Sequence, residues 1–367
     1  MRGTKMLGRA GAVTVAMVSG MAFGTAHPYA NTNPNTDAGA ALHATAAAPA
    51  PVACAEVRDK VGTLEGRITP NACAFMKRQI TFGETTTGTP PQPGEVGHPR
   101  VAAYLDIFDP EATLWEAGGA PQRGHAVIGN SIVGSLRLVP DLRYRGTEVV
   151  ADGAVVMFGQ WNEVTIKGHK VGYPQIARNV LSDDGKTIQA RRYYDRYTVY
   201  RSAAPELRNL FEGVVDTGPD ADMGPHVAPA VADRGPASRP FGAGDITARL
   251  AAWNTEDIDA LVGEAGHGRL TAPGLAAPLK TADGKAAYLR RLFDHADVRL
   301  KPGQVAFGRT HTFVEWHGTV TSPKGAVPFG IVERFGPAGE WELSFDTLPL
   351  IADQAEIDAM FQRLAQP

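Results

Sequence analysis

The stretch "ATLWEAGGAPQRGHAVIG", residues 112–129, sets one carboxylate, Glu116, where an apolar strand-like run gives way to a Gly-Gly-Ala-Pro turn. At the rim of an apolar hollow such a carboxylate loses solvation, its pKa rises, and it can take a proton from a carbon beside a carbonyl near neutral pH. The plain alternative pairs Glu116 with Arg123 on a solvated loop, an exposed contact that contributes at most about 1 kcal/mol. Trp115 beside it is a candidate ligand contact. On the later strands side chains alternate between faces. Trp161 and Glu163 share one face of "GQWNEV" and Asn162 lies on the other; Arg191, Tyr193, Asp195 and Tyr197 share a face opposite Arg192, Tyr194 and Arg196. Trp161, Tyr193 and Asp195 are taken as the cavity-facing set, because a Tyr/Asp pair can orient a small polar ligand. The competing role for Asp195 is to tie down an arginine of the same sheet.

The second concentration of chemistry is "HTFVEWH", which places His311, Glu315 and His317 on one strand face. At about 3.3 Å per residue, His311 and Glu315 stand roughly 13 Å apart, too far for one ion with ligand bonds near 2.1 Å. No metal site is expected, and His267 and His295 have no partner at ligand spacing. The chain carries no Gly-x-Gly-x-x-Gly opening a helix, no Walker loop and no Gly-x-Ser-x-Gly elbow. No cofactor is expected.

Two units must position these residues. At 367 residues the chain exceeds one ordinary domain, and about 150 residues per domain suggests two. The breaks are a low-complexity Ala/Asn/Thr/Pro segment at 27–51, read as a tether, and a Pro/Gly-rich linker at 204–244 in which only "LRNLFEGVV" is apolar enough to dock on a neighbour. Domains are therefore expected at 52–203 and 245–367. Each opens with helices and continues as three or four long antiparallel strands, an α+β pattern in which the sheet curls around its own helices. In the second unit Ile246, Leu250, Trp253, Ile258, Leu261 and Val262 suit two short helices broken near Asn254-Thr255. At the C-terminus Ile357, Met360, Phe361 and Leu364 follow helical spacing behind Asp353 as N-cap with Glu356 three later.

Helix-turn-helix, then "ATLWEAGG", "RGHAVI" and long strands with "DDGK" turns resemble the NTF2-like superfamily, in particular its SnoaL-like polyketide cyclases and ketosteroid isomerases. The resemblance covers most of both halves and implies two tandem cone-shaped α+β barrels. It also implies that Glu116, which closes an Ala-Thr-x-x-acid run, is the general base. The isomerases add a tyrosine on the first helix and an acid on the penultimate strand. Here "NACAFMKRQITF" offers Phe75 and Met76, and "YPQIARNV" offers Gln175 and Asn179, which argues against a true steroid isomerase. The second half reads "LTAPGL" where the first reads "LWEAGG", so Ala272 stands in place of the acid and that cone is expected to be catalytically empty.

The N-terminus reads as an export signal: basic Arg2, Lys5 and Arg9, an apolar run from about Ala10 to Phe23, and small residues that suit cleavage after Ala26. The alternative is an uncleaved anchor. The expected location is secreted or periplasmic, with residues 1–26 removed and no stable membrane anchor left. Cys54 and Cys73, the only cysteines, are expected to form a disulfide that contributes about 3 kcal/mol. A net charge of −3 without basic clusters gives no support to nucleic-acid binding. The expected partner is a small apolar molecule, polyketide- or steroid-like, with domain–domain or dimer pairing through the sheets. Two functions follow: isomerisation or cyclisation by proton transfer at Glu116, or a non-catalytic secreted module that binds a ligand or a protein.

Overall fold

The structure, a computed structural model, describes residues 54–58, 60–85, 89–216, 243–264 and 268–365. The expected signal segment 1–26, the tether 27–51, residues 217–242 and His267 lie outside the described residues.

The described chain opens with α1 (Ala55–Arg58), β1 (Thr63–Arg67) and α2 (Pro70–Glu84). A disulfide between Cys54 and Cys73, with Cα atoms 5.8 Å apart, fastens the first of these to the last. α2 starts where the Thr69 hydroxyl accepts from the Ala72 amide and Pro70 occupies the first turn, a position that needs no amide donor. Then come α3 (Pro99–Asp106), β2 (Phe108–Glu116), β3 (Gln122–Arg123) and α4 (Gly124–Leu138). The unit closes with β4 (Arg143–Asp152), β5 (Val155–Ile166), β6 (His169–Leu181), β7 (Thr187–Tyr193) and α5 (Arg196–Tyr200). The strands form a seven-stranded sheet ordered β1-β4-β5-β6-β7-β2-β3.

Two expectations need correction. The sheet is mixed, because β1 pairs parallel with β4 and β2 parallel with β7. Intervening helices supply the long crossover that parallel pairing requires. The closing strand also stops earlier than its alternation suggests. β7 ends at Tyr193, where Asp195 leaves the strand to cap α5, its carboxylate accepting from the Thr198 amide at 3.2 Å.

The second half comprises α6 (Ala243–Thr255), α7 (Ile258–Glu264), β8 (Leu270–Thr271), α8 (Ala282–His295), β9 (Asp297–Phe307), β10 (Thr312–Ser322), β11 (Gly325–Phe335), β12 (Trp341–Ser344), α9 (Leu348–Ile351) and α10 (Gln354–Ala365). Its sheet has five strands ordered β8-β12-β11-β10-β9. α6 and α7 part at Glu256, which takes φ +57°. Within the expected linker the apolar patch "LRNLFEGVV" docks on the second half, where the Phe211 ring stacks 3.9 Å from that of Tyr288. The core of this half surrounds a buried acid. Glu333, fully buried, accepts from Arg249 and from the indoles of Trp253, Trp316 and Trp341 at 2.8–3.2 Å. Ala272 packs in the same core.

The two sheets face each other. Val150, Met157, Ile176 and Tyr193 of the first meet Ala306, Phe313 and Val332 of the second. Buried charges ring this contact: Glu315 accepts from Arg178 Nε at 3.0 Å and Tyr193 Oη at 2.5 Å, and Asp346 accepts from Arg196 Nε at 2.7 Å. Glu65 accepts from the amides of Thr310 at 2.7 Å and His311 at 3.1 Å. α10 crosses back to the first half, where Phe361 packs on Tyr200 with ring centroids 5.3 Å apart. No described helix is long and apolar enough to cross a membrane.

Candidate active site

Glu116 is the last residue of β2, and the chain turns immediately after it. The Gly119 amide bonds back to the Glu116 carbonyl at 2.9 Å, and Gly118 takes φ +66°, which a glycine adopts without strain. In the parallel register Glu116 stands opposite Arg192 of β7, so the two side chains share the sheet face that α2, α3 and α4 cover. That face holds a cavity of about 100 Å³. Glu116 is half-buried in surface terms and lines this cavity.

Aromatic and amide side chains make up most of the remaining wall. Tyr104 comes from α3, Tyr144 from β4, Gln160 and Asn162 from β5, Tyr173 and Gln175 from β6, Arg192 from β7, and Tyr194 and Tyr200 from the segment after it. Tyr194 Oη donates to Glu116 Oε2 at 3.3 Å. Burial pushes the Glu116 carboxyl up to about 7, against the opposing pull of the Arg192 charge and the Tyr194 hydrogen bond. Burial raises Tyr104, Tyr173 and Tyr194 above the ordinary phenol range, and the Glu116 charge raises them further. They therefore stay protonated and able to donate. The site thus combines a carboxylate that exchanges its proton near neutrality with phenol donors that do not.

The residues expected beside Glu116 are elsewhere. Trp115 points to the opposite face and packs on Tyr193, ring centroids 5.5 Å apart, between the sheets. Tyr193 donates to Glu315, and Asp195 holds the Thr347 amide at 3.0 Å and its hydroxyl at 2.6 Å. Trp161 lies against Gly172 on that same opposite face of the sheet. None of the four lines the Glu116 cavity. The cavity-facing set is the other one of the alternation: Asn162, Arg192 and Tyr194. Tyrosine hydroxyls do line the cavity, but from other positions than those expected: Tyr104 on α3 and Tyr173 on β6. The signal that could have found them is parity with Glu116 across the register, which the sequence alone does not supply. Among the described residues no group of three or more His, Cys, Asp or Glu is placed to hold a metal. His311 is engaged by Glu65, and Glu315 by Arg178 and Arg191.

No protein-family profile matches the chain. No curated protein matches it. Solved structures do resemble it. One is an NTF2-like protein of unknown function from Burkholderia pseudomallei K96243, 14% identical, covering 35% of this chain and 95% of its own, with a TM-score of 0.29. A second, from Catenulispora acidiphila DSM 44928, has a ketosteroid isomerase-like fold and was crystallised with trimethylamine; it is 18% identical over 36% of this chain and 92% of its own, TM-score 0.29. A candidate SnoaL-like polyketide cyclase from Jannaschia sp. CCS1 is 14% identical over 36% of this chain and 92% of its own, TM-score 0.28. Identities and scores this low leave function to the cavity itself.

Proposed function

We propose that the chain is an exported SnoaL-like protein of two tandem NTF2-like cones, the first of which binds a small, largely apolar carbonyl compound and isomerises or cyclises it through Glu116. The observation that carries this reading is the carboxyl poised at about 7 in a cavity walled by protonated tyrosines. Ionised Glu116 takes a proton from the carbon next to the ligand carbonyl, and Tyr104 or Tyr173 donates to the enolate oxygen that forms. Glu116, now protonated, returns the proton to another carbon. A general base contributes about 10²–10⁴-fold when its pKa lies near the working pH. Glu333, held by Arg249 and three indoles in the core, and the absence of an acid at Ala272 support a non-catalytic role for the second half, as a partner that covers the outer face of the first sheet. Export, with cleavage after Ala26, rests on the basic and apolar N-terminal pattern; N-terminal sequencing of protein recovered outside the cytoplasm tests it.

The test of chemistry uses 3-cyclohexenone, whose conversion to the conjugated 2-cyclohexenone is followed in the ultraviolet. Wild-type turnover is expected to rise with pH through an inflection near 7. Glu116→Gln is expected to lose at least about 10²-fold. Equal turnover by the two proteins removes the catalytic assignment and leaves a binding module.

A further inference from the structure

Two buried amide groups in the Glu116 cavity have no acceptor among the described residues. Asn162 is 2% exposed; its Oδ1 accepts from Gln160 Nε2 at 2.7 Å, and its Nδ2 has no partner among the described residues. Gln79 on α2 lines the same cavity, and its buried Nε2 likewise has none. A buried donor without an acceptor costs on the order of 1–3 kcal/mol, so two in one wall need a reason.

Both residues meet Tyr144. It is the cross-strand partner of Asn162, and its hydroxyl donates to the Gln79 backbone carbonyl at 2.5 Å. The helix comes this close because residue 83 is glycine: a Cβ there would meet the Tyr144 ring at 3.2 Å. Gln79 and Tyr144 also line a second, larger hollow of about 330 Å³ on the α2 side, walled by Phe75, Met76, Ile80 and Phe158. Its rim carries the exposed Lys60–Glu84 ion pair at 2.6 Å. Gln79 and Tyr144 therefore belong to the walls of both hollows, the Glu116 cavity and the more apolar outer one.

Building on the carbonyl-ligand reading above, we propose that Asn162 Nδ2 and Gln79 Nε2 form an amide subsite for an uncharged carbonyl oxygen of the ligand beside Tyr144, with the ligand's apolar body directed toward the outer hollow. Uncharged donors suit a carbonyl. A carboxylate would be drawn to the Arg192 guanidinium of the same cavity instead of to the two amides. The ligand class is then an apolar ring or chain bearing a ketone at one end. In a substrate with two carbonyls this subsite holds the one that does not enolise.

The probes are 2-acetylnaphthalene, 2-isopropylnaphthalene, which is of similar size but lacks the acceptor, and 2-naphthoate. Calorimetry on the full chain is expected to show the ketone binding at least about tenfold more tightly than either of the others. Asn162→Leu and Gln79→Leu should each reduce that preference about three- to tenfold and leave 2-isopropylnaphthalene unchanged, whereas Glu116→Gln leaves the ketone preference over 2-isopropylnaphthalene intact. Side-chain amide resonances of Asn162 and Gln79 in the wild-type protein should shift with the ketone alone, a readout that does not depend on the variants folding. Equal affinity for ketone and hydrocarbon, or a preference lost in Tyr104→Phe but kept in Asn162→Leu, overturns the subsite and leaves the Glu116 chemistry standing. Failure of all three probes to bind overturns the subsite together with the cavity-binding reading. Loss of the pH-dependent turnover with the ketone preference intact overturns only the chemistry.

Discussion

A carboxyl held at about 7 instead of its ordinary 4.5 leaves a mark on stability as well as on chemistry. Because the folded state raises this pKa, it binds the Glu116 proton more tightly than the unfolded chain does. The ionised form is therefore a burden that grows as pH rises from about 4.5 to 7. Glu116→Gln removes that burden. The variant is expected to match wild type at pH 4 and to exceed it above pH 8 by up to about 3 kcal/mol, read by urea denaturation at both pH values. A flat difference across that range would mean that Glu116 is solvated. Residue types alone indicated the candidate base, since a lone acid at a strand end next to a glycine turn is legible in "LWEAGG". The tyrosines that complete the site were not, because they come from four separate segments that only the fold brings to one wall.

At the scale of elements, the periodic patterns proved informative where one face met solvent. α10 is the clearest case. Asp353 and Glu356 form a reciprocal cap at 2.9 and 2.8 Å, and the expected stripe of Ile357, Met360, Phe361 and Leu364 is buried. Its destination was not in the pattern. The stripe packs on the first half, against Tyr200, which itself lines the Glu116 cavity. Phe361→Ala is expected to cost about 3–5 kcal/mol by leaving a void at that contact, measured by chemical denaturation. It should also weaken ligand binding, because Tyr200 loses its support. β7 shows the opposite case: alternation carried the expected strand through Asp195, whereas a side-chain cap ended it two residues earlier.

For the whole molecule, the decisive feature is that two sheets share one buried, partly ionic contact. Burial alone would raise Glu315, but Arg178, Arg191 and the Tyr193 hydroxyl hold it down at about 2. A depressed carboxylate gives stability that is complete above its unfolded value near 4.5 and lost as pH falls toward 2. Glu315→Gln leaves two arginines without their anion, one of them fully buried, and is expected to cost about 3–5 kcal/mol at pH 7. The difference should shrink as pH approaches 2–3. A variant as stable as wild type at pH 7 would show that the charge contact contributes nothing to holding the sheets together.

The sequence by itself determined the α+β class, the long strands of both halves, the capped C-terminal helix and Glu116 at a strand end, because each is written in local periodicity or in a short turn. Tertiary structure alone decided which side of the first sheet faces a cavity. Alternation divides a strand into two sets of side chains, and polarity ordinarily tells the core set from the wet one. In this sheet both faces are covered, one by α2–α4 and the other by the second sheet, so Tyr193 and Tyr194 are both buried. Where both faces are covered, hydrophobic pattern carries no sign, and the choice fell to the packing of the second half.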